Sequence, residues 1–243
     1  MLTLTGLTRR FGGFTALNRV GFEVGEGEIL GLIGPNGSGK TTLFNCVSGA
    51  LRPSAGSIRF RGEEIAGFTP DVVCHRGIAR TFQIPRPFRK LSILENVALA
   101  AHYGTNRRDT EAQARVRARE ILDLVGLPAA DGASTASLGA AGLKKLELAR
   151  ALASGPALLL ADESLGGLDP AEMAAAADLL RRIRRELKIT IVWVEHIMAT
   201  LMRVVDRVIV LDHGEKIAEG RPHEVAEDAR VIEAYLGEKL VLT

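Results

Sequence analysis

The chain has 243 residues, with 31 Lys and Arg against 29 Asp and Glu and a formal net charge of +2. That length buries the core of one large α/β domain, or of such a core with an inserted subdomain. The charge balance lacks the concentrated basic surface of a nucleic-acid binder, and no apolar run is long enough to cross a bilayer, so work at a membrane would need another chain to do the spanning.

The first sixty residues read as β-rich, with short apolar or alternating runs at 2–7, 20–24, 28–33 and 57–60 split by glycine turns. The N-terminal stretch has no basic region leading into a long apolar core, so a signal peptide is not expected. A helix is predicted at 41–48, where Cys46 is expected to be a small buried thiol. Cys74, the second cysteine, forms no metal-ligand or C-x-x-C spacing with it, as expected of a reduced cytosolic protein. Beyond Pro70 helical periodicity takes over at 71–79 and 93–101, then in a longer amphipathic helix at 109–125. A loop at 126–138 containing Pro128 precedes a helix at 143–153. The pattern then alternates: strand 157–161, helix 171–187, strand 190–194, helix 197–205, strand 207–211. The arginines at 115, 117 and 119, and at 181, 182, 184 and 185, fall in Ala- and Glu-rich helical segments and read as solvated faces. Strand–helix alternation implies a parallel sheet with helices on its faces. The simplest architecture is an α/β core made of 1–71 and 151–243, interrupted by a helical insert at 72–150.

Between the strand at 28–33 and the helix at 41–48, the run Gly34-Pro35-Asn36-Gly37-Ser38-Gly39-Lys40-Thr41 fits the phosphate-binding pattern G-x-x-x-x-G-K-[ST]. Strand, glycine-rich turn and helix together aim backbone N–H groups and a helix N-terminus at one anion. The loop residues from Asn36 to Gly39, with Lys40, Thr41 and Thr42, are therefore the candidate nucleoside triphosphate contacts. Lys40 would reach the β- and γ-phosphates, and the Thr41 hydroxyl would ligate Mg²⁺. A hydrolase also needs a magnesium carboxylate and a base for water at strand ends facing that loop. The apolar strand Leu158-Leu159-Leu160-Ala161 ends in Asp162-Glu163, which supplies both: Asp162 for the metal, Glu163 as general base. His196 follows the strand at 190–194, on the ligand side of an open parallel sheet, where an imidazole could touch the γ-phosphate. Gln83 sits where the β-rich lobe passes into the helical insert.

These parts in this order resemble the ATP-binding subunit of an ABC transporter, over essentially the whole chain. The resemblance implies an α/β fold: a RecA-like P-loop ATPase core, an N-terminal antiparallel β subdomain and an inserted α-helical subdomain. It implies ATP and Mg²⁺ as cofactors. It also gives roles to single residues. Phe11, in Arg10-Phe11-Gly12-Gly13, matches the aromatic that stacks on adenine. Gln83 matches the glutamine that senses Mg²⁺ and γ-phosphate and touches the transmembrane partner. Gly167-Leu168-Asp169 matches the loop that communicates across the dimer, and His196 matches the switch histidine. The segments His75–Gln83, Leu94-Glu95-Asn96-Val97, Val194-Glu195-His196-Ile197-Met198 and Ile232-Glu233-Ala234-Tyr235-Leu236-Gly237 are similar to one branch, the ATPases of importers for branched-chain amino acids and related small solutes. The implied partners are a second ATP-binding subunit, two permease subunits and, indirectly, an extracytoplasmic solute-binding protein, at the cytoplasmic face of the membrane. The runner-up within the superfamily is the lipopolysaccharide-export ATPase; a soluble ABC ATPase and a small-molecule kinase are the rivals outside transport.

One departure has consequences. The family's L-S-G-G-Q signature falls on Leu138-Gly139-Ala140-Ala141-Gly142, so the phosphate-binding serine is Gly139 and the closely approaching glycine is Ala141. Losing the hydroxyl removes a charge-assisted hydrogen bond of about 1.5–3 kcal/mol. In this family each ATP lies between one subunit's phosphate loop and the other's signature. The expectation is a heterodimer with one strong and one weak site. The alternative is a variant signature that works through its helix dipole and backbone. Two smaller departures are Ser164, where the family has proline, and the small Ala161 before Asp162.

Overall fold

The computed structural model describes residues 1–104, 109–162, 170–195 and 198–236. The chain forms two compact units, Met1–Thr69 with Val192–Thr243, and Pro70–Ile191.

The first unit opens with the strands β1 (Leu2–Phe11) and β2 (Phe14–Val24), a hairpin paired from Leu2↔Val24 to Phe11↔Phe14. A bulge between Leu4 and Leu7 reverses the side-chain alternation, so Leu2, Leu4 and Leu7 all stay in the core. The sequence pattern reveals only the second half of β2, because Asn18 and Arg19 interrupt it. Arg19 takes a left-handed φ of 49° and donates its N–H to Thr8 Oγ1 at 3.1 Å, and the strand continues past it. The wholly buried β3 (Ile29–Ile33) leads through the glycine-rich loop into α1 (Lys40–Val47). On α1 the Cys46 thiol is buried, which pushes its pKa up to about 11 and keeps it protonated. Strands β4 (Ala55–Phe60) and β5 (Glu63–Glu64) complete an antiparallel sheet of order β2-β1-β4-β5.

The second unit begins with α2 (Pro70–His75) and β6 (Ile78–Arg80). A single helix over 71–79 is the sequence expectation, and here the structure differs. Gly77 at φ 98° ends the helix, and Ile78–Arg80 then pairs in parallel with the strand β7 described below. The helices α3 (Ile93–Tyr103) and α4 (Glu111–Val125) each start at a capping box, Ser92 with Glu95 and Thr110 with Gln113. They pack with α5 (Ala140–Ala153) through apolar faces rich in alanine: Val97 and Ala101, Ala114 and Ala118, Ala149 and Leu152. α5 starts three residues before its sequence expectation, because its first turn, Ala140-Ala141-Gly142, carries no apolar period to read.

Next come β7 (Leu158–Asp162), α6 (Pro170–Leu187) and β8 (Thr190–Val194), which returns the chain to the first unit with Trp193 fully buried. There α7 (Met198–Leu201) is a short helix, and β9 (Arg207–Asp212) pairs in parallel with β3, Leu30↔Arg207 to Ile33↔Val210. β10 (Glu215–Gly220) folds back antiparallel on β9, and α8 (Pro222–Ala226) and α9 (Ala229–Leu236) follow. The parallel pairs, the antiparallel sheet and the flanking helices make this the expected α/β fold.

Within the second unit one buried ion pair stands out. Arg80 Nη2 lies 2.6 Å from Asp162 Oδ2, with the two side chains 7% and 6% exposed. Removing one partner strands the other charge in the interior, at about 3–5 kcal/mol. Asp162→Ala should therefore unfold at a clearly lower urea midpoint than Asp162→Asn, which keeps a hydrogen-bond acceptor. A wild-type midpoint in Asp162→Ala would show that the pair contributes no stability.

Candidate functional site

In the first unit β3 delivers the chain into the loop at Gly34, whose φ is 148°. A Cβ there would collide with the Leu211 carbonyl oxygen and come within 2.6 Å of Ser38 Oγ, so only glycine lets loop and strand β9 approach this closely. The loop is tied down by backbone bonds: Ser38 N–H to Pro35 O at 3.2 Å, and Gly214 N–H to Ser38 O at 3.0 Å. Gly39 caps α1 with no side chain in the cap, which leaves the first N–H groups of the helix for an anion.

Lys40 is buried at 5% exposure, and its ammonium donates to Gly34 O at 2.7 Å and Pro35 O at 2.9 Å. The loop thus solvates its own lysine with carbonyl dipoles. Asn36, Gly37 and Thr41 are exposed and Thr42 is half-buried. The loop residues singled out in the sequence thus divide between exposed positions, Asn36, Gly37 and Thr41, and buried ones, Ser38 and Lys40.

Beside the loop lies a cleft of about 740 Å³, lined by Phe14, Pro35–Ser38, Asp212, His213 and residues of α9. That volume suits a small organic ligand. Phe11, the aromatic expected to meet a base, has the Arg9 guanidinium over its ring at 4.5 Å. Its cross-strand partner Phe14 lines the cleft and is 64% exposed. The signal of Phe14 in the sequence is a second aromatic directly after the Gly12-Gly13 turn.

In the second unit β6 and β7 bring Gln83 and Asp162 to neighbouring strand ends. Thr81 N–H donates to Leu160 O at 3.0 Å, and Asp162 N–H donates to Thr81 Oγ1 at 3.0 Å. The Asp162 carboxylate is held by Arg80, whose guanidinium also lies 5.1 Å from the Phe82 ring centre. Arg80 has no signal in the sequence, since one arginine on a short strand carries no pattern of its own. Gln83 is exposed, as are Phe82, Ile84 and Phe88.

This exposed segment is anchored to α5. Glu147 is buried on α5, and burial raises the pKa of its carboxyl, against the neighbouring Arg150 charge. Arg150 donates to Arg86 O at 2.9 Å and to Glu147 at 3.0 Å, and stacks over Phe88 at 5.0 Å. Asn96, fully buried on α3, accepts the Phe88 N–H at 2.8 Å and donates to three carbonyls of 88–92.

At the start of the same α5, Gly139 is the N-cap, with φ −71° and no side-chain cap bond. An added Cβ at Gly139 would meet nothing within 4 Å, so the backbone does not require glycine there. Ala140, Ala141 and Gly142 form the first turn. A Cβ at Gly142 would press on the Leu138 side chain at 3.0 Å. Glu163, Asp169 and His196 lie outside the described residues, as do Ser164 and Gly167.

Among the described residues no helix is long and apolar enough to cross a membrane. A family model for the ABC transporter matches residues 17–166, and one for the branched-chain amino acid ATP-binding cassette transporter matches residues 215–240. The chain is 36% identical to the high-affinity branched-chain amino acid transport ATP-binding protein BraF of Pseudomonas aeruginosa, covering 98% of both chains. It is 34% identical to LivG of Escherichia coli, again over 98% of both. Among solved structures, the ADP conformation of the ATP-binding cassette MJ1267 superposes with a TM-score of 0.87 at 29% identity, over 98% of this chain and 99% of that one. The dimeric cassette MJ0796, bound to ADP and phosphate, gives 0.81 at 26% identity over 91% and 99%. With its phosphate loop, its strand-end carboxylate and full-length likeness to such cassettes, the chain belongs to the ABC transporter family and is one of its ATP-hydrolysing subunits.

Proposed function

We propose that this chain is the ATPase subunit of an importer for branched-chain amino acids or related small solutes. It would sit at the cytoplasmic face of the membrane, docked with a second cassette on two permease subunits that receive solute from an extracytoplasmic binding protein. The reading rests above all on 34–36% identity across 98% of the chain to BraF and LivG, together with the match at 215–240.

The roles follow from chemistry at each position. The N–H groups of the loop and of the α1 N-terminus bind the phosphates of ATP. Lys40 exchanges the Gly34 and Pro35 carbonyls for the β- and γ-phosphates. Phe14, or its partner Phe11, offers a ring for the base to stack on. Thr41, Gln83 and Asp162 each offer an oxygen donor, the ligand type that suits Mg²⁺, and would hold that ion. When bound, that ion neutralises charge on the phosphates. Arg80 holds Asp162 in position and limits how much negative charge it presents. Glu163 takes the proton from the attacking water, and His196 contacts the γ-phosphate. The segment 82–90 meets the permease.

Two experiments test this reading. In the complex assembled with its candidate permeases, solute-loaded binding protein should raise ATP turnover. Glu163→Gln should bind ATP normally while turnover falls about 10²–10⁴-fold. Wild-type turnover in that variant would remove Glu163 from its role.

The altered signature supports a pairing with a different cassette. This chain's Gly139 and Ala141 weaken the site built on the partner's loop, and the site on Lys40 depends on the partner's signature. Gly139→Ser with Ala141→Gly should raise turnover of the assembled complex, and the open space at Gly139 lets the serine fit without loss of stability. Unchanged turnover would sink the weak-site account.

A further inference from the structure

The hairpin turn between β9 and β10 has no part in the phosphate-binding pattern, yet the phosphate loop leans on it. His213 and Gly214 form a two-residue turn, with Asp212 paired to Glu215 and both central residues at positive φ, 43° and 78°. Such a turn leaves the backbone groups of its central residues unused within the hairpin. Both groups of Gly214 are spent elsewhere: its N–H donates to Ser38 O at 3.0 Å, and its carbonyl accepts the Asn18 N–H at 2.8 Å. Asn18 has that N–H to give because β2 bulges there, its register against β1 slipping between Leu17 and Val20. The side chains strap the same junction, with Asn18 Nδ2 donating to Glu215 Oε1 at 2.6 Å.

The junction has no room for further side chains. A Cβ on Gly214 would lie 2.6 Å from Ala16 O, and one on Gly39 would lie 2.7 Å from the same oxygen. Two glycines, one from the turn and one from the loop, thus close on a single carbonyl of β2. Peptide geometry passes the constraint to the far side of the loop. The Ser38–Gly39 peptide is trans and planar, so its N–H points opposite to its carbonyl. Gly214 holds that carbonyl, and the Gly39 N–H therefore points away from the turn. Gly39 is the N-cap of α1, so this N–H belongs with those of the first helical turn.

We propose that Gly214 is a positioning residue for nucleotide binding: the β9–β10 turn is a strut between β2 and the phosphate loop, and it aims the Gly39 N–H at a phosphate. The proposal rests on the nucleotide reading of the loop. β2 begins at Phe14, just ahead of Ala16, so the ring offered to the base and the amides offered to the phosphates share one support. By linkage, a turn that favours the binding-competent loop must itself be favoured by the ligand.

Gly214→Ala puts a Cβ against Ala16 O and forces the turn off the loop, at a φ that alanine avoids. In the full-length protein, the dissociation constant for Mg-ATP should rise about 3- to 10-fold, as for loss of one neutral hydrogen bond. Gly56→Ala is the control for mere strain: Gly56 also has a positive φ, 91°, and its Cβ would press on Gly6 and Leu7 of β1. Both variants should lower Tm, but only Gly214→Ala should weaken nucleotide binding. As a readout that needs no variant, Mg-ADP should slow hydrogen exchange of the Gly214 amide in the wild type. It should do so more than at Glu219, towards the far end of the hairpin. Unchanged ATP affinity in folded Gly214→Ala, equal weakening in both variants, or Gly214 exchange that ignores ADP would overturn the strut and leave the ATPase reading intact. Failure of the wild type to bind ATP at all would overturn both.

Discussion

A buried ammonium group sets the terms for the phosphate loop. Lys40 is almost wholly removed from water, and a cation so placed is expensive unless fixed dipoles replace its hydration. The Gly34 and Pro35 carbonyls do this, at 2.7 and 2.9 Å. They converge only because the chain turns through a conformation open to glycine and passes a strand carbonyl too closely for any side chain. The loop is thus built around the lysine before any ligand arrives. A phosphate then replaces dipoles with full charges, an exchange that a preformed site makes with little reorganisation.

In the second unit the same logic operates through acids. Asp162 is buried against Arg80, and Glu147 is buried against Arg150. The first pair joins two strand ends far apart in sequence; the second lies within one turn of α5 and reaches a distant segment through the Arg150 bond to Arg86 O. Arg80–Asp162 fixes one strand end to the next, and Glu147–Arg150 fixes the 82–88 segment to the helix that begins with the signature. A displacement of that exposed segment would pull on α5 through the Arg150 bond to Arg86 O and the ring of Phe88 stacked on Arg150, without need of a longer relay. Asn96 closes the far end of the segment from α3.

Much of this was legible beforehand. The phosphate loop and the Leu158–Asp162 strand announce themselves because backbone geometry and chemistry both restrict the residue types there. β3, α3, α4, β7, α6, β8 and β9 were read correctly because each carries a clean period over enough residues. What the sequence concealed was set by tertiary pairing. β6 is three residues long and becomes a strand only by lying beside β7. β10 is polar and mostly exposed, so no alternation marks it. Phe14 and Arg80 look ordinary in the sequence because each acts through a neighbour distant in the chain: the loop at 35–38 and Asp162. Reading single positions finds residues that touch a ligand more readily than residues that hold others in place.

The arginine-backed rings have a consequence for docking. Phe82 and Phe88 lie exposed, but each has a guanidinium on one face, Arg80 and Arg150, and each guanidinium is itself pinned by a buried carboxylate. Free aromatic side chains on a loop would sample several rotamers, and association would have to freeze them at about 0.5–1.5 kcal/mol apiece. Here folding has already chosen the rotamer. Any surface that meets this segment finds its two anchors rigid and facing outward, so affinity can be sensitive to small tilts of the segment. A stiff contact of that kind passes movement on where a soft one would absorb it.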